Sequence, residues 1–196
     1  MFTGIISHMG KFRGYRRGKQ ELALSSSKPI PQIGLGDSLA VNGVCLSLIR
    51  KERDLLVFNL SQETIKRSTL GELRSGDMLN LEIPLTLNSL LNGHLVSGHI
   101  DETGRIIRIQ EKSGGCGMEI RMSPKNRAFL ISKGSVALDG ISLTVADVSP
   151  ASFVVEVIPI TLRETNLSSR RRGDSVNLEY DIFGKYVYNW TRRNES

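Results

Sequence analysis

Short apolar runs of Val, Ile, Leu and Thr, each broken by Gly, Asn, Asp or Pro, recur along the whole chain. That arrangement reads as many short strands joined by turns. Met78-Leu79-Asn80-Leu81-Glu82 alternates apolar and polar positions, as a strand with one face on a core does. Asn42-Gly43 and Asp139-Gly140 are hairpin-turn signals followed by apolar strands, and Gly76-Asp77 and Gly173-Asp174 mark further turns. Helical signals are confined to three places. Ser61-Gln62-Glu63-Thr64-Ile65 and Thr161-Leu162-Arg163-Glu164-Thr165 predict single turns leading out of a strand. From about Lys185 to Arg193 a C-terminal helix is expected, with Val187 and Trp190 on one face. A helix that short is not stable alone, so it is expected to pack on something.

The pattern occurs twice. Residues 36–82 align on residues 133–179 without a gap, at a constant offset of 97. Gly43 falls on Gly140, Leu46 on Leu143, Thr64 on Thr161, Leu70 on Leu167, and Asn80-Leu81-Glu82 on Asn177-Leu178-Glu179. An offset of 94 sets Gly4-Ile5-Ile6 on Gly98-His99-Ile100 and Gly10 on Gly104. The boundary lies near Asn88 to Asn92, which gives units of 1–90 and 91–184 and a tail of 185–196. About six strands per unit without a long helical period predict an all-β fold of two closed barrels, since closure removes exposed sheet edges.

Composition and charge change this picture little. At 196 residues the chain can bury a substantial core, and 39% of it is hydrophobic. No run reaches the ~18 apolar residues of a membrane span, and the start lacks a secretory pattern, so a cytoplasmic protein is expected. Cys45 and Cys116 show no CxxC spacing and read as free thiols. The net charge of +6 raises nucleic acid as a partner. The basic clusters, Lys11 to Lys19, Arg170-Arg171-Arg172 and Arg192-Arg193, are flanked by polar or Gly residues, with only Phe12 and Tyr15 interleaved. That is a solvated surface rather than a row of stacking platforms.

Candidate chemistry sits where the copies differ. Cys45 in the first unit faces Ser142 in the second, and His99 faces Ile5. Because i and i+2 residues of a strand share a face, Cys45 groups with Ser47, and Ser142 with Thr144. Alone, a strand Cys is most often a small buried hydrophobe, and Ser or Thr after a turn often bonds local backbone. His94 and His99 lie five apart, which suits neither a helical nor a strand-face metal pair, and His8 has no evident partner. P-loop, GxGxxG, GxSxG and HExxH motifs are absent.

Met1-Phe2-Thr3-Gly4-Ile5-Ile6, Asn42-Gly43-Val44-Cys45-Leu46, Gly93-His94-Leu95-Val96-Ser97-Gly98-His99-Ile100 and Asp139-Gly140-Ile141-Ser142-Leu143-Thr144-Val145 together closely resemble the riboflavin synthase family. The resemblance spans Met1 to about Val187. It implies two six-stranded Greek-key barrels, a C-terminal helix and a homotrimer. It further implies dismutation of two molecules of 6,7-dimethyl-8-ribityllumazine to riboflavin and 5-amino-6-ribitylamino-uracil, with no metal or organic cofactor. Enclosure in a lumazine synthase shell is left open by it. By motif, the first pocket is expected to use Gly4, Ile5, Ile6, Cys45, Leu46, Ser47 and the stretch Asn59, Leu60, Ser61, Gln62, Glu63 and Thr64. The second is expected to use Gly98, His99, Ile100, Lys133, Ser142, Leu143, Thr144 and the stretch Val157, Ile158, Pro159, Ile160, Thr161 and Leu162. His99 and Ser142 are expected to move protons in the second pocket, Cys45 to contact the partner ring, and Asp139 and Asp181 to orient these groups. The chain departs from the family pattern at Ser47, where Thr is common, at Ile160, where Glu or His is usual, and at Asn92, which replaces a Gly. A non-catalytic lumazine- or flavin-binding relative is the rival reading, and the full Ser142-Leu143-Thr144 with His99 favours the enzyme.

Overall fold

The computed structural model describes residues 1–30 and 33–194. Its strands form two closed antiparallel barrels, as the repeat predicts. The N-terminal barrel contains β1 (His8–Arg16), β2 (Glu21–Ser26), β3 (Ser38–Val41), β4 (Val44–Glu52), β5 (Leu55–Asn59) and β6 (Met78–Glu82). Their order round the barrel is β1-β2-β5-β4-β3-β6, in which β2 pairs with β5 rather than with its chain neighbour β3. The C-terminal barrel contains β7 (Glu102–Lys112), β8 (Gly115–Arg121), β9 (Ser135–Leu138), β10 (Ile141–Val148), β11 (Ser152–Val157) and β12 (Ser175–Tyr180), in the same cyclic order. Even the bulges repeat. Register shifts fall at Phe12/Gly14 and Ile106/Arg108, and at Leu48/Arg50 and Val145/Asp147. A bulge bends its strand and raises the local twist, which a six-stranded closure needs.

The turn chemistry is as the residue types dictate. Asn42 and Gly43 have φ of 46° and 78°, and Asp139 and Gly140 have 46° and 80°. Two consecutive positive φ values make the tight hairpin turn that Asn-Gly and Asp-Gly favour. Both barrel interiors are filled by side chains, including Leu22, Leu39 and Phe58 in the first and Ile106, Val136 and Phe153 in the second. Each such buried side chain contributes about 1.5–3 kcal/mol. A ligand must therefore bind on an outer wall.

Helix α1 (Gln62–Arg67) leaves β5 under a cap in which Ser61 Oγ accepts from Thr64 N–H at 3.0 Å. Helix α2 (Pro159–Glu164) occupies the matching place after β11, with Pro in its first turn. Helix α3 (Ile182–Asn194) starts before the expected Lys185. Asp181 Oδ1 accepts from Phe183 N–H at 2.9 Å and so initiates the helix early. Tyr188 packs edge-on against Phe129, and Lys185 pairs with Asp101 at 2.6 Å. The expected face of Val187 and Trp190 points outward instead, together with Phe183 and Tyr186.

The barrels meet at their hairpin turns and through a buried polar network. A Cβ on Gly43 would lie 2.6 Å from Gly140 N, so this contact admits no side chain. Asn166 N–H donates to Asn80 Oδ1 at 2.7 Å, Asn177 Nδ2 to Asn42 O at 2.8 Å, and Thr69 N–H to Asn177 Oδ1 at 2.7 Å. Asp139, fully buried, accepts from Asn177 N–H and Asn166 Nδ2 and is ion-paired with Arg170. This corrects one expectation: Arg170 is a largely buried partner rather than part of a solvated surface, and the Asp139 carboxylate lies between the barrels. A carboxylate removed from water needs such partners.

Candidate active site

The segments that open the two units cross each other before entering their barrels. Phe2 N–H donates to Val96 O at 2.8 Å and Val96 N–H to Phe2 O at 3.0 Å, over a small cluster with Ala40 and Ala137. Each segment then lies on the opposite barrel. Ser142 N–H donates to Gly4 O at 2.8 Å, and Cys45 N–H donates to Gly98 O at 2.9 Å. Ile6 packs on the core of the C-terminal barrel, and Ile100 on that of the N-terminal barrel. The expected grouping is thus exchanged: Gly98, His99 and Ile100 belong with Cys45, and Gly4, Ile5 and Ile6 with Ser142. Aligning a repeat pairs equivalent residues, whereas the crossing is a contact between non-equivalent ones.

Both glycines are required by the approach. Gly98 has φ of +85°, and a Cβ there would lie 2.5 Å from Cys45 Cβ. Gly4 has φ of +77°, and a Cβ there would lie 2.6 Å from Ser142 Cβ. A left-handed backbone against another backbone is a place where only Gly fits.

The first site is a cavity of about 260 Å³ on the outer wall of the N-terminal barrel. Cys45 and Val44 of β4, Glu63, Thr64, Arg67 and Ser68 at α1, and Gly98, His99 and Ile100 line it. Arg67 forms an i,i+4 ion pair with Glu63 across its exposed side. Ser47 follows Cys45 on the same outer face and is exposed, as period-2 spacing predicts. Asn59, Ser61 and Gln62 are exposed at the end of β5 and the start of α1. Leu46 and Leu60 are in the barrel core, so only their backbone can reach a ligand.

The second site has a different character. Ser142 and Thr144 lie on the outer face of β10, and Ile5, Ile158 and Ile160 are exposed, the last two at the repeat positions of Ser61 and Glu63. Pro159 and Ile160 open α2, with Thr161 and Leu162 half-buried along it, while Leu143 and Val157 are core residues. Lys133 is exposed in a left-handed turn whose N–H donates to Val145 O at 2.8 Å. Where site one has Glu63, the matching position here is Ile160, which removes a charge from the wall.

Ser142 is not partnered by His99, which stands exposed at the other site. Its Oγ lies 2.7 Å from Nδ1 of His94, a residue to which the sequence assigned no role. His94 is buried, and burial holds its pKa below the usual imidazole value, opposed by the nearby Asp181 charge. A neutral imidazole beside a hydroxyl can accept its proton or hand one back. Asp181 caps α3 through Phe183 N–H. The signal available in the sequence was Gly93. A Cβ there would lie 2.2 Å from Thr3 O and 2.8 Å from Ser142 Cβ, so the His that follows Gly93 is carried close to Ser142.

Two like barrels, each with a candidate site on its outer wall, define a tandem-barrel protein. The family model described as "Lumazine binding domain" matches residues 3–84 and 97–181, one copy on each barrel. The riboflavin synthase of Actinobacillus pleuropneumoniae is 43% identical over 95% of this chain and 88% of its own length. That of Bacillus subtilis (strain 168) is 36% identical over 98% of this chain and 91% of its own. A solved structure described as LumP complexed with riboflavin shares the fold, with a TM-score of 0.84 at 22% identity over 92% of this chain and 99% of that one. The chain belongs to the riboflavin synthase family, and with that membership it is an enzyme of the transferase class.

Proposed function

We propose that the two sites bind two molecules of 6,7-dimethyl-8-ribityllumazine and pass a four-carbon unit between them, giving riboflavin and 5-amino-6-ribitylamino-uracil. The observation that carries this reading is the pairing of unlike groups on like frames, Cys45 with His99 and Ser142 with His94. Two copies of one molecule need two similar pockets, and a donor and an acceptor need them to differ. The backbone edges of the crossed segments offer hydrogen-bonding groups to the pyrimidine-like edge of each ring, and Ser47 and Thr144 add hydroxyls that can donate or accept. The apolar rim of Ile5, Ile158 and Ile160 packs on a ring face. Much of the acceleration comes from holding the two rings stacked in the reacting order. In the second site Ser142 and His94 exchange the proton, and in the first Cys45 and His99 serve the partner ring.

The sites open outward on each barrel, so two rings meet only if site one of a protomer faces site two of another. The exposed row of Phe183, Tyr186, Val187 and Trp190 on α3 is the surface for that assembly, with a second and third copy as its occupants. The assembly proposed is a homotrimer, and no helix among the described residues is long and apolar enough to cross a membrane.

The test is incubation of the purified chain with 6,7-dimethyl-8-ribityllumazine alone, following riboflavin by absorbance. Riboflavin at half the molar amount of lumazine consumed is the expected result. Tight binding without turnover would replace the enzyme by a lumazine-binding protein.

A further inference from the structure

Two buried carboxylates play no part in either site as described, yet each holds a piece of one. Glu82 closes β6 and Glu179 lies in β12, at the repeat offset, and they are 4% and 2% exposed. Glu82 Oε1 accepts from Thr3 N–H at 2.6 Å and from Thr3 Oγ1 at 2.7 Å, while Oε2 accepts from Gly4 N–H at 3.0 Å. Glu179 Oε1 accepts from Ser97 N–H and Ser97 Oγ, both at 2.6 Å, while Oε2 accepts from Gly98 N–H at 2.9 Å. The hydroxyls pass the restraint onward. Thr3 Oγ1 accepts from Ile5 N–H at 3.1 Å, and Ser97 Oγ accepts from His99 N–H at 3.3 Å.

We propose that Glu82 and Glu179 are positioning residues, each fixing the ligand-facing segment of the site on the opposite barrel. Glu82 belongs to the N-terminal barrel, but Gly4, which it holds, receives Ser142 N–H of the second site. Glu179 belongs to the C-terminal barrel, but Gly98, which it holds, receives Cys45 N–H of the first. The chemistry explains why a carboxylate stands in both places. Only an ionised carboxylate offers two oxygens, several lone pairs and no donor, so it can accept from two amides and a hydroxyl at once. No lysine or arginine is ion-paired with either carboxylate among the described residues. For simple packing an apolar residue would cost less than a buried charge. Burial indeed pushes the Glu82 carboxyl up, and the Thr3, Gly4 and Ile5 donors pull against that. A carboxyl stands at these two positions because its two oxygens set the peptide planes that present Ile5 and His99.

The inference rests on the two-site reading above, and its test separates the two. Glu82→Gln and Glu179→Gln, each in the full chain, keep the shape but turn one acceptor into a donor facing a donor. The first readout is alkylation of Cys45 by iodoacetamide, mapped by peptide mass so that Cys116 is scored separately. Glu179→Gln is expected to change the Cys45 rate several-fold, and Glu82→Gln to leave it near wild type. The second readout is lumazine turnover, where both variants are expected to lose about 10- to 100-fold in kcat with a smaller change in KM. A carboxylate that merely stabilised its own barrel would invert the Cys45 pattern, with Glu82→Gln as the disruptive change. That inversion, an equal response to both variants, or wild-type kinetics in both overturns the proposal. Should either Gln variant fail to fold, Thr3→Ala and Ser97→Ala remove one contact from each carboxylate and are read in the same way. If the wild-type chain does not convert lumazine, the functional reading falls, while the Cys45 comparison still decides the positioning role.

Discussion

Replacing Gly98 by Ala tests the crossing of the two opening segments directly. Ala at φ of +85° incurs the left-handed penalty of about 1–2 kcal/mol. Its methyl would sit 2.5 Å from Cys45 Cβ and 3.0 Å from Cys45 N, both on β4, where Cys45 is held in the ladder with β3. Overpacking of this kind costs about 1–3 kcal/mol more. Gly18 supplies the control, since it has φ of +61° and nothing within 4 Å of the added Cβ. Gly18→Ala carries the backbone penalty alone, and both variants gain the same small benefit from a less flexible unfolded chain. Their difference, about 1–3 kcal/mol in urea unfolding, therefore isolates the contact with Cys45. Thermal midpoints should separate by roughly 3 to 10 °C in a chain of this length. The folded Gly98→Ala protein should also lose lumazine turnover, since the bond from Cys45 N–H to Gly98 O must lengthen, whereas Gly18→Ala should keep it. Equal destabilisation by the two variants, with turnover intact in both, would refute the crossed arrangement.

Burial holds the His94 pKa below its unfolded value of about 6.5, so the stability it contributes is present above that pH and lost as pH falls through the folded value. Urea midpoints measured at pH 7.5 and 5 should therefore drop further for wild type than for His94→Gln. Asp181→Asn removes a charge that raises this pKa, so the acid limb of the kcat profile should move to lower pH; no movement would detach Asp181 from the second site. Asn166→Leu leaves Asn80, Asn42 and Asp139 short of partners between the barrels and should cost about 2–4 kcal/mol in chemical denaturation. Phe183→Ser with Trp190→Ser removes two exposed apolar side chains from α3. Sedimentation should show the proposed trimer shifting toward monomer, and an unchanged sedimentation coefficient would move the assembly surface elsewhere.

The strands, the barrels and their duplication were legible because they depend on local signals that recur. Asn42-Gly43 and Asp139-Gly140 fix hairpins with two residues, and the 97-residue offset even carries the bulge at Leu48/Arg50 to Val145/Asp147. The grouping of the site residues was not legible. Gly4 and Ser142, or Cys45 and Gly98, meet only because Phe2 and Val96 pair first, and no period in the chain encodes a contact between unlike parts of two copies. The surroundings of Asp139 were not legible either, for a related reason. Asp139 follows Leu138 into a turn three residues before Ser142, which looks like proximity to chemistry, yet its side chain faces Arg170 and Asn166 between the barrels.

The crossing also accounts for how two equivalent halves came to carry unequal chemistry without losing their common frame. In an uncrossed duplication each barrel would own a whole site, and a change in one would leave the other untouched. Here Cys45 answers to Gly98 and, through it, to Glu179, while Ser142 answers to Gly4, His94 and Glu82. A thiol with an exposed imidazole on one barrel and a hydroxyl with a buried imidazole on the other are thus assembled from opposite ends of the chain. The barrels can keep identical turns and ladders, since the differences reside in the exchanged segments and the outer strand faces. Because each segment is held by one barrel and read by the other, a displacement between the barrels would alter both sites at once. The buried Asn and Asp network that locks the barrels together is for that reason part of what fixes the geometry of each site.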